Sequence, residues 1–140
     1  MSGGVDELEP LRILKARYFR HIDRKEWEQF RGLFVEDVEI DVSDDVGPRG
    51  VQRGRDQFVD RVSKLLEGVV TVHHGHMPEL EITSPTTARG VWAMEDWLQW
   101  PDGRITTGAG HYEEEYRREG DTWRIAKMRL ARLRLSTTER

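Results

Sequence analysis

The sequence predicts an α+β fold in which helices precede a sheet of long strands. Apolar residues recur mainly at three-and-four spacing up to residue 66, whereas from residue 69 onward they alternate with polar residues. The first spacing is typical of amphipathic helices and the second of half-buried strands. We therefore expect one sheet that curls over the helices. The 140 residues suit a single domain spanning 1–140.

Composition narrows the classes of function. Charged residues make up 34% of the chain and its net charge is −4, without the basic face of a nucleic-acid binder. There is no cysteine, which excludes disulfides and thiol chemistry and favours a cytoplasmic location. No apolar run is long enough to span a membrane or to act as a secretion signal. We expect a small-molecule partner, with neither nucleic acid nor membrane.

The first helix is predicted over residues 5–22, after a frayed tail at residues 1–4. Apolar residues recur there at helical spacing, and Tyr18 lies on the buried stripe. Asp6 and Glu9 have the spacing of a capping box at its start. Tyr18 should therefore face the interior.

Asp23 lies at a corner, residues 21–25, before a second helical pattern that begins near Trp27. Its spacing to Glu26 is again that of a capping pair. Two interpretations stay open at this point, a helix cap and a functional carboxylate.

The rest of the chain changes from helical to strand periodicity. A short strand is predicted over residues 38–42, followed by a glycine-rich loop at 43–54 that is a candidate lid, and by a helix at 55–66 that Gly68 ends. Period-two alternation then predicts long antiparallel strands separated by turns. They cover residues 69–82, 88–100, 105–118 and 122–135.

Three of the five histidines fall in the first long strand. Alternation places His73 on one face, and His74 with His76 on the other. His73 is a candidate general base, because imidazole exchanges protons near neutral pH. Alternatively, His74 and His76 could bind a metal with Glu81 as a third ligand, if a later strand supplied a further one. Histidines that are merely solvated or core-packed are the remaining interpretation.

Asp96 lies among large apolar residues on one face of the next strand, beside Trp92 and Met94. Burying an unpaired carboxylate costs free energy, so we expect a cation or a hydrogen-bond donor to pair with it. We expect either a salt bridge to an arginine or a pocket acid that orients a histidine. In the following strand, His111 and Tyr112 come after small residues that would allow close approach to the backbone.

These side chains suggest a site that needs no cofactor. An Asp on one imidazole nitrogen would fix the tautomer and strengthen the other nitrogen as a base. Tyr18 and an arginine would stabilise an oxyanion or protonate a leaving oxygen. No serine elbow, phosphate loop or paired CxxC motif is present to support other chemistry. The predicted constellation is Tyr18, Asp23, His73, Asp96 and an arginine of the last strand.

An ordered set of short motifs runs through the chain. It comprises Tyr18-Phe19-Arg20-His21-Ile22-Asp23, Trp27, Leu33-Phe34-Val35-Glu36-Asp37-Val38, Gly54-Arg55, Thr71-Val72-His73-His74, Gly110-His111-Tyr112 and Trp123-Arg124-Ile125. Over nearly the whole chain the set resembles SnoaL-like domains of the nuclear transport factor 2-like superfamily. The resemblance implies a cone-shaped α+β barrel, with a curved mixed sheet wrapped around N-terminal helices, an internal pocket, and dimerisation through the outer sheet surface.

The resemblance also implies a reaction class. The most similar subgroup includes scytalone dehydratase, bile-acid 7α-dehydratase and hexachlorocyclohexane dehydrochlorinase, which eliminate a small group without cofactor or metal. Their working set is a Tyr or Lys, an Asp five residues later and a strand His, and Tyr18, Asp23 and His73 match it. This favours Asp23 as a catalytic carboxylate. Asp96 falls near a further pocket acid of the bile-acid enzyme.

The resemblance leaves the arginine open. The dehydrochlorinase pattern has an arginine where this chain has Met128, so Arg129 is the predicted catalytic arginine and Arg132 is its rival. The predicted substrate-binding residues are His74, Trp92, Met94, Trp97, His111, Tyr112 and Met128.

We therefore expect a cofactor-independent dehydratase or isomerase-type lyase, without a metal, that acts on a small hydrophobic, cyclic hydroxy or keto compound. A homodimer or higher homo-oligomer is expected. The principal alternative is a non-catalytic small-molecule-binding or assembly domain of the same fold, and a histidine-metal enzyme is a further one. Isomerases, epoxide hydrolases and aldol cyclases share the superfamily, so the fold alone does not fix the reaction.

Overall fold

The computed structural model describes residues 6–139 and shows helices packed on one face of a single sheet. Within that range the helices are α1 (Glu9–Asp23), α2 (Trp27–Arg31), α3 (Ser43–Val46) and α4 (Arg55–Leu65), with a 3-10 turn at Pro48–Gly50. The strands are β1 (Phe34–Asp41), β2 (Val51–Arg53), β3 (Val70–Ser84), β4 (Thr87–Gln99), β5 (Ile105–Glu119) and β6 (Thr122–Thr137). The predicted tail at residues 1–4 and the predicted helix start at Val5 lie outside the described residues.

The sheet is mixed and open. Its strand order is β2-β1-β6-β5-β4-β3, and β1 pairs with β6 in parallel while all other neighbours are antiparallel. Register shifts between β3 and β4 and between β5 and β6 mark irregularities of the kind that bend long strands. The predicted α+β fold with a curved sheet is confirmed. The sheet does not close into a barrel, because β2 and β3 remain edge strands.

The core lies between α1 and the inner face of the sheet. Every second side chain of a strand points to that face, and the helical stripe of α1 meets it. Aromatic rings fill much of the space, with centroid distances of 5.6 Å for Tyr18 and Tyr112, 5.2 Å for Tyr18 and Phe30, and 5.0 Å for Phe30 and Phe34. Tyr18 is buried, as its helical spacing predicted.

Local predictions for the helices differ from the structure at two points. The predicted capping box is absent, because the residue that caps α1 is Leu8, which makes no side-chain cap hydrogen bond, and Asp6 binds the Leu8 backbone N–H instead. The predicted loop at 43–54 contains α3 and β2. Of the helices within residues 6–139, none has the length and apolar character needed to cross a bilayer.

Candidate active site

Asp23 closes α1 and directs its carboxylate toward β3. The helix ends there because Arg24 leaves helical geometry and Lys25 adopts a left-handed conformation with a φ of 58°. The N-cap of α2 is Glu26, and no side chain caps that helix. The helix-cap interpretation of Asp23 is therefore wrong.

Asp23 and His73 are in direct contact. His73 Nδ1 lies 2.6 Å from Asp23 Oδ1, and the His73 backbone N–H donates to Asp23 Oδ2 over 2.8 Å. The Thr71 hydroxyl donates to Asp23 Oδ1 over 2.9 Å. Three donors around one carboxylate fit an ionised acceptor, and in a neutral imidazole this arrangement favours the proton on Nδ1 and the lone pair on Nε2. The predicted contact is present, and its catalytic role stays a prediction.

Asp96 lies directly across the β3–β4 register from His73. Its Oδ2 is 3.9 Å from His73 Nε2, which is beyond hydrogen-bond range. Arg132 binds Asp96 through both terminal nitrogens, each over 2.9 Å. Of the two expectations for Asp96, the salt bridge is the one observed, and Asp23 is the residue that orients the histidine.

Arg132 is enclosed by acceptors. Its Nε and Nη2 donate to Asp45 over 2.7 and 3.1 Å, and Nη1 lies 3.7 Å from Met94 Sδ. Together with the two bonds to Asp96, these contacts engage all five N–H groups of the guanidinium. Burial lowers the pKa of Arg132, but the hydrogen bonds to Asp96 and Asp45 outweigh it and raise that pKa above its ordinary value.

Arg129 does not join this group. Its guanidinium lies 2.9 Å from Asp41 and 3.5 Å from Glu113. The adjacent Met128 is buried, and successive side chains of a strand point to opposite faces, so Arg129 points away from the core. The prediction of Arg129 as the arginine of the site is corrected in favour of Arg132.

Tyr18 and Tyr112 contribute two buried phenols. They are 3% and 1% exposed. Burial raises the pKa of Tyr18 and of Tyr112, and the negative charge of Asp96 adds to the rise at both. The charge of Asp23 also contributes at Tyr18. Both phenols therefore stay protonated at neutral pH, within electrostatic range of the carboxylates of the site.

The seven predicted substrate-binding residues divide between the two faces of the sheet. Those on the inner face with His73 are Trp92, Met94, Tyr112 and Met128. His74, Trp97 and His111 lie on the outer face, because each is adjacent in sequence to an inward-facing residue of its strand. Their assignment to an interior site is corrected.

The metal alternative requires His74, His76 and Glu81 to converge with a further ligand. Glu81 instead binds Arg89 over 2.8 Å. No three His, Asp or Glu side chains in the described part of the chain are grouped so that they could hold a metal ion. The sequence therefore suggested a ligand set that the fold does not assemble.

A buried ion pair beside the tyrosines was not predicted. Lys15 Nζ lies 2.7 Å from Glu114 Oε2 with both side chains fully buried, and 3.6 and 3.5 Å from the ring centroids of Tyr18 and Tyr112. Tyr116 donates to Glu114 over 2.7 Å. Burial lowers the pKa of Lys15 to about 8, although Glu114 opposes the change. Lys15 precedes Tyr18 by three residues, which places both on one face of the helix, and Glu114 follows Tyr112 by two, which places both on one face of the strand. Helical and strand periodicity could therefore have predicted this pair.

Two surface concavities lie along the helices. One follows the outer side of α1 at Arg17, and the other lies between α2 and α4 at Lys25 and Lys64. Neither is lined by Asp23 or His73. The internal pocket thus stays a prediction.

The arrangement is suited to proton transfer in a buried environment. In this geometry His73 Nε2 can act as a base, and Asp23 can stabilise the imidazolium that would form when it takes a proton. Tyr18 and Tyr112 can donate to an oxygen that gains negative charge. Arg132 is not free for that task while its five N–H groups are engaged.

Comparison with known proteins supports the architecture. A sequence profile described as SnoaL-like domain matches residues 6–129. A protein of unknown function from Mycobacterium tuberculosis shares 26% identity at a TM-score of 0.78, over 91% of this chain and 77% of that one. A candidate scytalone dehydratase from Novosphingobium aromaticivorans shares 19% identity at a TM-score of 0.85, over 96% and 89%. The hexachlorocyclohexane dehydrochlorinase LinA-type3 from Novosphingobium barchaimii shares 16% at 0.80, over 93% and 88%.

The two comparisons below 20% identity show a shared fold and leave the reaction open. The profile match is more specific, because it spans most of the 140 residues and includes Asp23, His73 and Asp96. The chain therefore belongs to the SnoaL-like domain family.

Proposed function

We propose that the chain is a cofactor-independent lyase or isomerase of the dehydratase type, acting on a small hydrophobic, cyclic hydroxy or keto compound. The observation that carries the proposal is the 2.6 Å contact between Asp23 Oδ1 and His73 Nδ1. Similarity to structures named for a scytalone dehydratase and for a dehydrochlorinase supports an elimination. The buried Trp92 and Met94 on the same face support an apolar substrate.

In the proposed elimination, His73 Nε2 removes a proton from the carbon next to a carbonyl group. The C–H electron pair forms the new double bond while the bond to the leaving hydroxyl breaks. Tyr18 gives its proton to the departing oxygen, so one water leaves, and the imidazolium proton then returns to the phenolate. Asp23 stabilises the imidazolium between these steps. In an isomerisation, the proton returns instead to a different carbon.

Tyr18 is the proposed acid in place of an arginine. Its phenol stays protonated at neutral pH, because burial raises its pKa. Arg132 is committed to Asp96 and Asp45, so its role in the proposal is to neutralise Asp96 opposite His73.

The alternative of a non-catalytic binding domain predicts a different arrangement of Asp23 and His73. It requires Asp23 to serve as a helix cap and His73 to turn away from it. The cap is absent and the two side chains are hydrogen-bonded, which favours the enzyme over the passive binding domain.

His73→Ala and Asp23→Asn provide the direct test. The purified protein is incubated with a panel of cyclic hydroxy ketones, and mass spectrometry records the loss of water. In deuterated buffer it also records the exchange of carbon-bound hydrogen for deuterium. For any compound that the unmodified protein turns over, we expect kcat to fall about a hundredfold or more in each variant, the range for loss of a general base. The control is His76→Ala, an exposed histidine of the same strand. Unchanged turnover in both site variants would contradict the mechanism.

A further inference from the structure

Lys25 has an unusual backbone conformation next to the site. Its φ of 58° is left-handed, and Met77 is the other non-glycine residue in the described part of the chain with a positive φ. Such a conformation is strained for a residue with a side chain and persists where its surroundings fix it. Here the Lys25 backbone N–H donates to the Ile22 carbonyl over 3.1 Å, and the next N–H, of Glu26, donates to the His21 carbonyl over 2.9 Å.

The side chain of Lys25 reaches the oriented carboxylate through one hydroxyl. Lys25 Nζ donates to Thr71 Oγ1 over 3.0 Å, and Thr71 Oγ1 lies 2.9 Å from Asp23 Oδ1. An ammonium can only donate, so Thr71 accepts from Lys25 and its single hydroxyl hydrogen is free to point to Asp23. The direction of both hydrogen bonds is thereby fixed toward the carboxylate.

We propose that Lys25 is a positioning residue of the Asp23–His73 pair and acts through Thr71. The two side chains hold Asp23 as an ionised acceptor for the Nδ1 proton of His73. They also withhold part of its negative charge from the imidazole, so that Nε2 stays unprotonated and available as a base. The inference rests on the proposed function only for the reaction in which His73 acts as a base.

Other charged and titratable groups face His73 from the elements packed around it. Asp96 of β4 lies on the Nε2 side and is neutralised by Arg132 of β6, which Asp45 of α3 also binds. The phenols of Tyr18 in α1 and Tyr112 in β5 lie within electrostatic range of Asp96. The contacts among Asp96, Arg132 and Asp45 do not involve Lys25 or Thr71, so we expect a change at His73 in such variants to report the Lys25–Thr71 branch.

The experiment follows the His73 ring by long-range proton–nitrogen NMR, with its signals assigned from a His73→Gln variant. The branch variants are Lys25→Met, Lys25→Gly and Thr71→Val. Removing the ammonium or the hydroxyl leaves more negative charge for the imidazolium, so the ring should take up its second proton at a pH higher by about 0.5 unit or more. Lys25→Gly relieves the backbone strain as well, and it should shift the titration in the same direction as Lys25→Met.

The controls retain the chemistry or lie outside the branch. Lys25→Arg keeps a cation and Thr71→Ser keeps a hydroxyl, so both should titrate within about 0.2 unit of the unmodified protein, well below the shift that a lost charge causes. Lys64→Met removes an exposed lysine from the same surface concavity and should also leave the titration unchanged. If Lys25 serves only the chain turn, Lys25→Met will titrate like these controls even where Thr71→Val shifts the titration, and that result would overturn the proposal.

This measurement needs no substrate, so its result is separate from the test of turnover. Shifted titration together with full activity in His73→Ala would keep the positioning role and reject the proposed enzyme. Unshifted titration together with lost activity in His73→Ala would reject the positioning role of Lys25 and keep the proposed enzyme. Should Thr71→Val fail to fold, the two Lys25 variants still decide the outcome.

Discussion

The interior carboxylates differ in how each is neutralised. Two are bound directly by a buried cation, and these pairs are Asp96 with Arg132 and Glu114 with Lys15. Asp23 has its cation one hydroxyl away and gives its closest contact to an imidazole. A direct ion pair suits side chains that must stay fixed. A carboxylate that binds an imidazole can instead keep its hydrogen bond in both protonation states of that imidazole.

The Lys15–Glu114 pair should matter more for stability than its surface counterparts. Glu114→Gln leaves the Lys15 ammonium buried without a countercharge, and losing one partner of a buried pair costs about 3–5 kcal/mol. Urea denaturation should show a loss of this size. The control is Glu113→Gln, whose exposed side chain points to the other face and should change the free energy of unfolding by less than about 0.5 kcal/mol. Equal effects of both substitutions would contradict the role assigned to the pair.

At the scale of elements, the site exists because α1 packs closely against β3. A side chain at Gly75 would collide with the Phe19 ring, so the glycine sets the distance between the helix and the strand. Gly108 leaves space beside β4 for the ion pair of Asp96 and Arg132, since a Cβ there would collide with both side chains. Small residues therefore leave room for the side chains of the candidate site.

Gly75→Ala is expected to separate the helix from the strand. The added methyl group must displace Phe19, and overpacking of this kind costs about 1–3 kcal/mol. We expect lower stability by urea denaturation and faster amide exchange at His73, whose N–H is bound to Asp23. Gly32→Ala is the matched control, because a Cβ there meets only ordinary contacts. Retained protection at His73 in Gly75→Ala would show that the glycine does not set the distance.

Periodicity predicted the elements and much of the site. It placed Tyr18 inside and separated His73 from His74, and the same alternation would have moved Trp97 and Arg129 outward had it been applied strictly. It could not show that Asp45 reaches Arg132, because that contact depends on how residues 43–54 fold over β6. Contacts between an irregular segment and a distant strand have no sequence period.

For the whole molecule, we propose a homodimer formed through the outer face of the sheet. Val70 and Val72 are 55% and 39% exposed on that face, and Trp97 pairs with Val72 in the neighbouring strand. Exposed apolar side chains in contact favour burial against a partner. Val72→Lys should yield monomers in light scattering, whereas Val51→Lys, an exposed valine on the far edge strand, should not. A monomeric unmodified protein would contradict the proposal.

The three tyrosines of the chain are all buried, which predicts a distinctive response to alkali. Burial raises the pKa of Tyr18, Tyr112 and Tyr116 above the ordinary value of 10.0. A raised pKa contributes stability that is fully present below about pH 10 and is lost as pH rises further. Absorbance at the tyrosinate band should therefore stay flat until circular dichroism reports unfolding, and then rise together with it. Gradual ionisation near pH 10 in a folded protein would contradict this.

The most direct test of the whole account is the tautomer of neutral His73, read from the nitrogen shifts of its ring. In the unmodified protein we predict the proton on Nδ1 and an unprotonated Nε2, because Asp23 accepts from Nδ1. In Asp23→Asn that preference should weaken or reverse. A neutral His73 that carries its proton on Nε2 in the unmodified protein would contradict the proposed base.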